Sequence, residues 1–201
     1  VRNIFVTADT HFEHISTRGG ILAFCNRPFS CIEEMNTMMI QWWNEMVRPG
    51  DIVYIVGDFA WRNHKRFIHA LRGKKILLIG SHDKMNRDTL GLFTEVHTLL
   101  TRNINKHQVT LGHYCMYNWH GSHYGSWHLY GHSHGRMPEL HNAYKFDVGV
   151  DVWNYRPIPF ETVEKKMDKI KETWMNTLTT RTEEEKLATV QDNTTYNKQF
   201  I

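Results

Sequence analysis

A chain of 201 residues carrying 24 Lys and Arg against 21 Asp and Glu, net +3, suits one domain with a sizeable core, with or without a tail. So balanced a charge excludes a strong polyanion-binding field from the total alone, although Arg62 to Arg72 is locally basic. Fourteen histidines are the one compositional anomaly, and three cysteines (Cys25, Cys31, Cys115) with no C-x-x-C pair argue against a disulfide framework and for a reducing cytoplasm. No secretory signal is visible, and no apolar run approaches the roughly 18 residues a membrane span needs, so no membrane partner is expected.

In chain order, Ile4 to Ala8 reads as a short buried strand, with Asp9 and His11 on the loop that follows. Ser30 and Glu33 have the spacing of a capping box that opens a helix at about Cys31. Met35, Met39, Trp42 and Met46 recur at helical spacing as a core stripe, and Pro49-Gly50 stops it. Ile52 to Val56 is a near-continuous apolar run, as in a strand covered on both faces, and it delivers Gly57-Asp58. A helix at about 64–71 and a strand from Lys75 to Ile79 follow, the latter delivering Gly80-Ser81-His82-Asp83. This strand–helix–strand alternation predicts an α/β core.

From Glu95 the pattern changes to short strands at 96–100, 109–112, 127–131 and 146–150, which predicts a second, more antiparallel sheet. Phe160, Val163, Met167, Ile170 and Trp174 mark an outer amphipathic helix. The expected domain is 1–175, with 176–201 a polar tail that is partly disordered or packs on a partner.

The chemistry is concentrated where strands end. Gly131-His132-Ser133-His134-Gly135 follows an apolar run, and the period of two puts both imidazoles on one face. Asp9 and His11, Asp58, Ser81 to Asp83, and His113 each stand at the end of another such run. An α/β sheet presents ligands in this way, and mixed carboxylate and imidazole donors suit Mn, Fe, Zn or Ni rather than Ca or Mg alone. A zinc-finger-like structural site is excluded, because the set includes carboxylates and lacks paired cysteines. Cys115, near His113, reads as a core or loop thiol rather than a soft ligand.

The ordered set Asp-x-His, Gly-Asp, Gly-Ser-His-Asp, His and Gly-His-x-His resembles the calcineurin-like metallophosphoesterases, in particular their small bacterial and phage members. That resemblance implies a two-sheet sandwich flanked by helices (α-β-β-α), with the metals at the carboxyl ends of the strands. It implies two divalent ions, manganese first, with Asp58 bridging, Asp9, His11 and His134 on one ion, and Ser81, His113 and His132 on the other. It further implies hydrolysis of a phosphodiester or phosphomonoester by metal-bound hydroxide, with His82 protonating the departing oxygen and Asp83 orienting that imidazole.

Ser81 departs from the family's pattern, which has Asn there; whether introduced or natural, the shorter hydroxyl is expected to loosen the second metal site. His14 is close enough in sequence to reach the pocket, and in Asn26-Arg27-Pro28-Phe29 the expected roles are a phosphate clamp for Arg27 and a base-stacking face for Phe29. The loop holding Tyr117, Trp119, His120, His123 and Tyr124 lines a nucleotide pocket or packs on the sheet. A short chain with little room for a cap favours a small or cyclic nucleotide. The alternatives are a nuclease acting on a nucleic-acid strand and a metal-binding scaffold whose catalysis is impaired at Ser81.

Overall fold

The computed structural model describes residues 2–138 and 143–179. Two sheets form the molecule. The first has the order β4-β3-β2-β1-β9, built from β1 (Ile4–Thr7), β2 (Ile52–Ile55), β3 (Lys74–Leu78), β4 (Glu95–His97) and β9 (Ile158–Pro159). Strands β1 to β4 run parallel, and β9 closes the edge antiparallel to β1. The second has the order β5-β6-β7-β8, from β5 (Leu99–Ile104), β6 (His107–Gly112), β7 (Trp127–Tyr130) and β8 (Lys145–Asp147).

Burial explains why β1, β2 and β3 read as near-continuous apolar runs. Alternate residues point to opposite faces, and each face has its own core. Phe5, Val53, Ile55 and Leu77 pack beneath the helices α1 (Gly20–Cys25), α2 (Ile32–Met46) and α3 (His64–Ala70). Val6, Tyr54, Val56, Ile76 and Leu78 face Val109, Leu111, Leu129 and Phe146 of the second sheet. Phe160, Val163 and Met167 of the last helix, α5 (Phe160–Thr179), seal this second core. The fourth helix, α4 (Arg87–Leu90), is a single turn capped by Asn86. Among the described residues no helix is long and apolar enough to cross a membrane.

Several expectations need correction. The second sheet is antiparallel only between β5 and β6; β6, β7 and β8 run parallel, so β6 and β7 both end on the same side. The stretch 96–100 is not one strand but the junction of β4 and β5, which belong to different sheets. In α2 it is Trp43 that is buried, its indole donating to the Arg72 carbonyl, whereas Trp42 is half-buried. Glu34, not Glu33, reaches back to the Ser30 amide and hydroxyl. Helix α5 continues past 175 to Thr179, and the remainder of the expected tail, 180–201, lies outside the described residues.

His128 on β7 is fully buried. Its Nδ1 lies 3.1 Å from the Thr110 carbonyl, and its Nε2 lies 3.1 Å from the Met116 amide and 3.2 Å from the Tyr114 carbonyl. Burial, with Lys145 nearby, lowers its pKa to about 4. Below pH 6.5 the unfolded chain takes up a proton here that the folded chain refuses, so this contribution is complete above pH 6.5 and is lost as pH falls towards 4. On the order of 3 kcal/mol should disappear across that window. Urea unfolding of the metal-free protein and of His128→Asn at a series of pH values checks this. The variant's curve should be flatter by that amount, and parallel curves would refute the assignment.

Candidate metal centre

Five loops at the carboxyl ends of parallel strands converge: those after β1, β2 and β3 from one sheet and those after β6 and β7 from the other. Backbone bonds stitch the first two together, Asp9 N–H to the Gly57 carbonyl and His11 N–H to the Asp58 carbonyl, each 3.0 Å. Asp9, His11, Asp58, His132 and His134 all adopt positive φ between 48° and 67°. Such left-handed backbone is unfavourable for side-chain-bearing residues and concentrates at functional sites. Glycines supply the close approach: a Cβ on Gly131 would lie 2.6 Å from Asp9 Oδ2, and one on Gly80 would collide with the Asp58 carboxylate.

The side chains fall into two groups whose donor atoms lie within 4.8 Å of one another, Asp9/His11/His134 and Asp58/His113/His132. Asp58 stands between them, its Oδ2 3.6 Å from His11 Nε2 and 3.3 Å from His113 Nε2. These two Nε2 atoms are buried and lack a hydrogen-bond partner of good geometry, despite the short distance from His113 to Asp58. Their other nitrogens are engaged. His113 Nδ1 donates to the Val56 carbonyl (2.9 Å), His134 Nδ1 meets Asp151 Oδ2 (2.7 Å), and His11 Nδ1 meets His14 Nδ1 (3.0 Å). For His113 and His134 the Nδ1 partner is an oxygen that can only accept, so Nδ1 carries the proton and Nε2 is left as a lone-pair donor, the usual support of a metal-ligating histidine.

Charge fits a cation as well. Burial pushes the Asp9 carboxyl up to about 7 against the pull of His134 and His113. Burial also raises Asp58, but the His113 ring and the His82 amide outweigh it and hold this carboxyl well below the usual range. Buried acids and orphaned imidazole nitrogens at one point are what a divalent cation would satisfy. The residues present fit the group.

The other expected residues are placed as follows. Ser81 donates its hydroxyl to Asp58 (3.1 Å). His82 is half-exposed at the pocket mouth, with Nε2 3.9 Å from Asp58 Oδ2. Asp83 does not orient His82: its carboxylate accepts from the amides of Asp58, Phe59 and Gly80 and so clamps two ligand loops together. His14 lies in the pocket with its ring flat against Trp61, 4.2 Å between centroids.

Arg27 is not a phosphate clamp. It is 4% exposed, forks onto both Asp151 oxygens at 2.8 Å, and donates to the carbonyls of Asp9 and Thr10. Phe29 is not a stacking face either, since it packs into the helix-side core against Trp42 and Tyr155. None of the residues from Tyr117 to Tyr124 lines the pocket over the centre.

Sequence reasoning missed Asp151, Asp147 and Trp61. Asp147 accepts from Ser133 Oγ and from the amides of Gly135 and Gly149, and so holds the His132–His134 loop against the end of β8. The signal was present in Asp147-Val148-Gly149-Val150-Asp151, a further strand ending in carboxylates. Trp61, which carries both His14 and His82 (5.0 Å), had no signal beyond its closeness to Asp58 in sequence.

Fold and centre together define a two-sheet α/β protein with two adjacent groups of carboxylate and imidazole side chains at its strand ends that could hold metal ions. No family model matches the chain. The chain belongs to the family of uncharacterized protein MJ1445 of Methanocaldococcus jannaschii, with which it is 31% identical over 179 residues, covering 84% of this chain and 93% of that one. Its fold is that of a protein of unknown function, AQ665 from Aquifex aeolicus, with TM-score 0.63 and 21% identity over 82% of this chain and 99% of the other. Yfce, a phosphoesterase from E. coli, aligns at 15% identity over 73% of this chain and 78% of its own, but at TM-score 0.38 that likeness carries no argument.

Proposed function

We propose that the chain is a metal-dependent phosphoester hydrolase that holds two divalent cations, manganese first, and acts on a phosphodiester. The observation that carries this reading is the pair of donor groups meeting at Asp58, with the buried Nε2 atoms of His11 and His113 unpartnered. Asp9, His11 and His134 would hold one cation, His113 and His132 with Ser81 the other, and Asp58 would be shared. Bound there, the cations would neutralise the phosphate and lower the pKa of a water at the pocket floor. The remaining tasks belong to side chains. His82, half-exposed beside Asp58, is positioned to give a proton to the departing ester oxygen. The Asp151 carboxylate holds the proton of His134 on Nδ1, and His14, stacked on Trp61, packs against His11 and holds that ring in place. No serine or cysteine nucleophile is required. Three free cysteines support a reducing, cytoplasmic setting.

Ser81 supports a second reading, a scaffold that binds metal without turnover, because its hydroxyl is already committed to Asp58. Hydrolysis of a bis-aryl phosphodiester with added manganese separates the two. Chelator-sensitive turnover is expected, and Ser81→Asn, which supplies an amide oxygen, should tighten the second cation and raise the rate roughly 10-fold. Metal uptake with no ester hydrolysed by either form would favour the scaffold.

A further inference from the structure

The pocket over the metal centre, about 370 Å³, has two unlike walls. One is polar, made by His14 and His82. The other is apolar, made by Ile21, Phe24 and Met137, with Arg136 beside them. Ile21 is buried and serves as the base of that wall, whereas Phe24 is 61% exposed and Met137 43%. Arg136 sets its guanidinium over the Phe24 ring, Cζ 4.3 Å from the centroid, and is held there by donating to the Phe24 carbonyl. The Phe24 ring also stands edge-on to His134, 6.1 Å between centroids, directly beside one donor group. A single exposed ring on a convex surface needs no explanation. A ring, a thioether and a pre-oriented guanidinium in the wall of a concave site, one residue-width from the reacting centre, form a specificity surface.

We propose that Phe24, Arg136 and Met137 form a subsite for a flat aromatic substituent of the phosphoester, a nucleobase or an aryl ring. The inference rests on the phosphoester reading. The exposed aromatic face stacks the ring. The guanidinium, planar and fixed by its bond to the Phe24 carbonyl, covers the ring's edge or a polar substituent on it. An alkyl ester finds no such partner. The stacking face expected of Phe29 is thus assigned to Phe24, with Arg136 beside it.

Calorimetric titration of the manganese-loaded protein with phenylphosphonate and methylphosphonate, which contain no hydrolysable ester, tests this without relying on turnover. Phenylphosphonate should bind about 10-fold more tightly. That ratio should fall towards one in Phe24→Ala and return in Phe24→Tyr, with manganese content measured alongside. Equal affinities in the unaltered protein, or a ratio that survives Phe24→Ala, would overturn the subsite while leaving the phosphoester reading intact. Failure of both phosphonates to bind a manganese-loaded protein would overturn both. A second pair, adenosine 5′-monophosphate against ribose 5-phosphate, distinguishes the two sources: a base contribution as large as the phenyl one identifies a nucleotide, and a smaller one a simple aryl ester.

Discussion

Asp58→Asn should abolish manganese binding at both groups and remove phosphoesterase activity. Asp58 Oδ2 lies within 3.6 Å of both His11 Nε2 and His113 Nε2, so under the proposed function one substitution takes a charged ligand from each group at once. Loss of a residue that only supports a ligand costs about 10–100-fold in affinity, and loss of a shared direct ligand should exceed ~100-fold. The swap keeps the shape and the oxygen that accepts the His82 amide, so the fold is spared. In thermal unfolding, added manganese should raise the midpoint of the unaltered protein and leave that of Asp58→Asn where it was. A variant that still gained stability from manganese to the same degree would remove Asp58 from the centre.

Arg27→Met should be the most damaging change outside the ligand set. The Arg27 side chain is fully buried and bonded to Asp151, which is itself bonded to His134. Removing the guanidinium leaves the buried Asp151 carboxylate with His134 as its remaining partner and the Asp9 and Thr10 carbonyls without their donor, a class of loss worth about 3–5 kcal/mol. Urea unfolding should register that loss in the metal-free protein. Manganese affinity should fall roughly 10–100-fold as well, because Asp151 no longer fixes His134. Arg27→Lys restores charge but not the fork and should recover only part. Were Arg27 instead a substrate clamp, stability would hold and KM alone would rise.

The contrast between these two residues shows what sequence can and cannot convey. The position of Asp58 was legible because it follows an apolar strand and stands in a tight turn, a pattern written in adjacent letters. Arg27 was misread because its partner is 124 positions away. An Arg in a loop looks like a solvent-facing clamp until the fold brings a carboxylate to it. The same holds for Asp83, which has His82 as its sequence neighbour but spends its oxygens on the amides of Asp58, Phe59 and Gly80. The positions of β1, β2 and β3 were plain because burial on both faces removes polar letters, whereas β4, half-buried and polar at both ends, was merged with β5, and the two-residue β9 left no pattern to read. The direction of β7 and β8 was not, because parallel and antiparallel neighbours leave similar short apolar runs. Phe24 and Arg136 left only the signal of an arginine immediately after the Gly-His-Ser-His-Gly turn.

The most direct measurement is an anomalous difference map from crystals of the protein soaked in manganese. Two peaks about 3.5–4 Å apart are expected on either side of Asp58, one against Asp9, His11 and His134 and a weaker one against His113 and His132. The absence of any peak at Asp58, or a single ion seated instead among Cys25, His134 and Asp151, would contradict the two-metal centre and the hydrolase built on it.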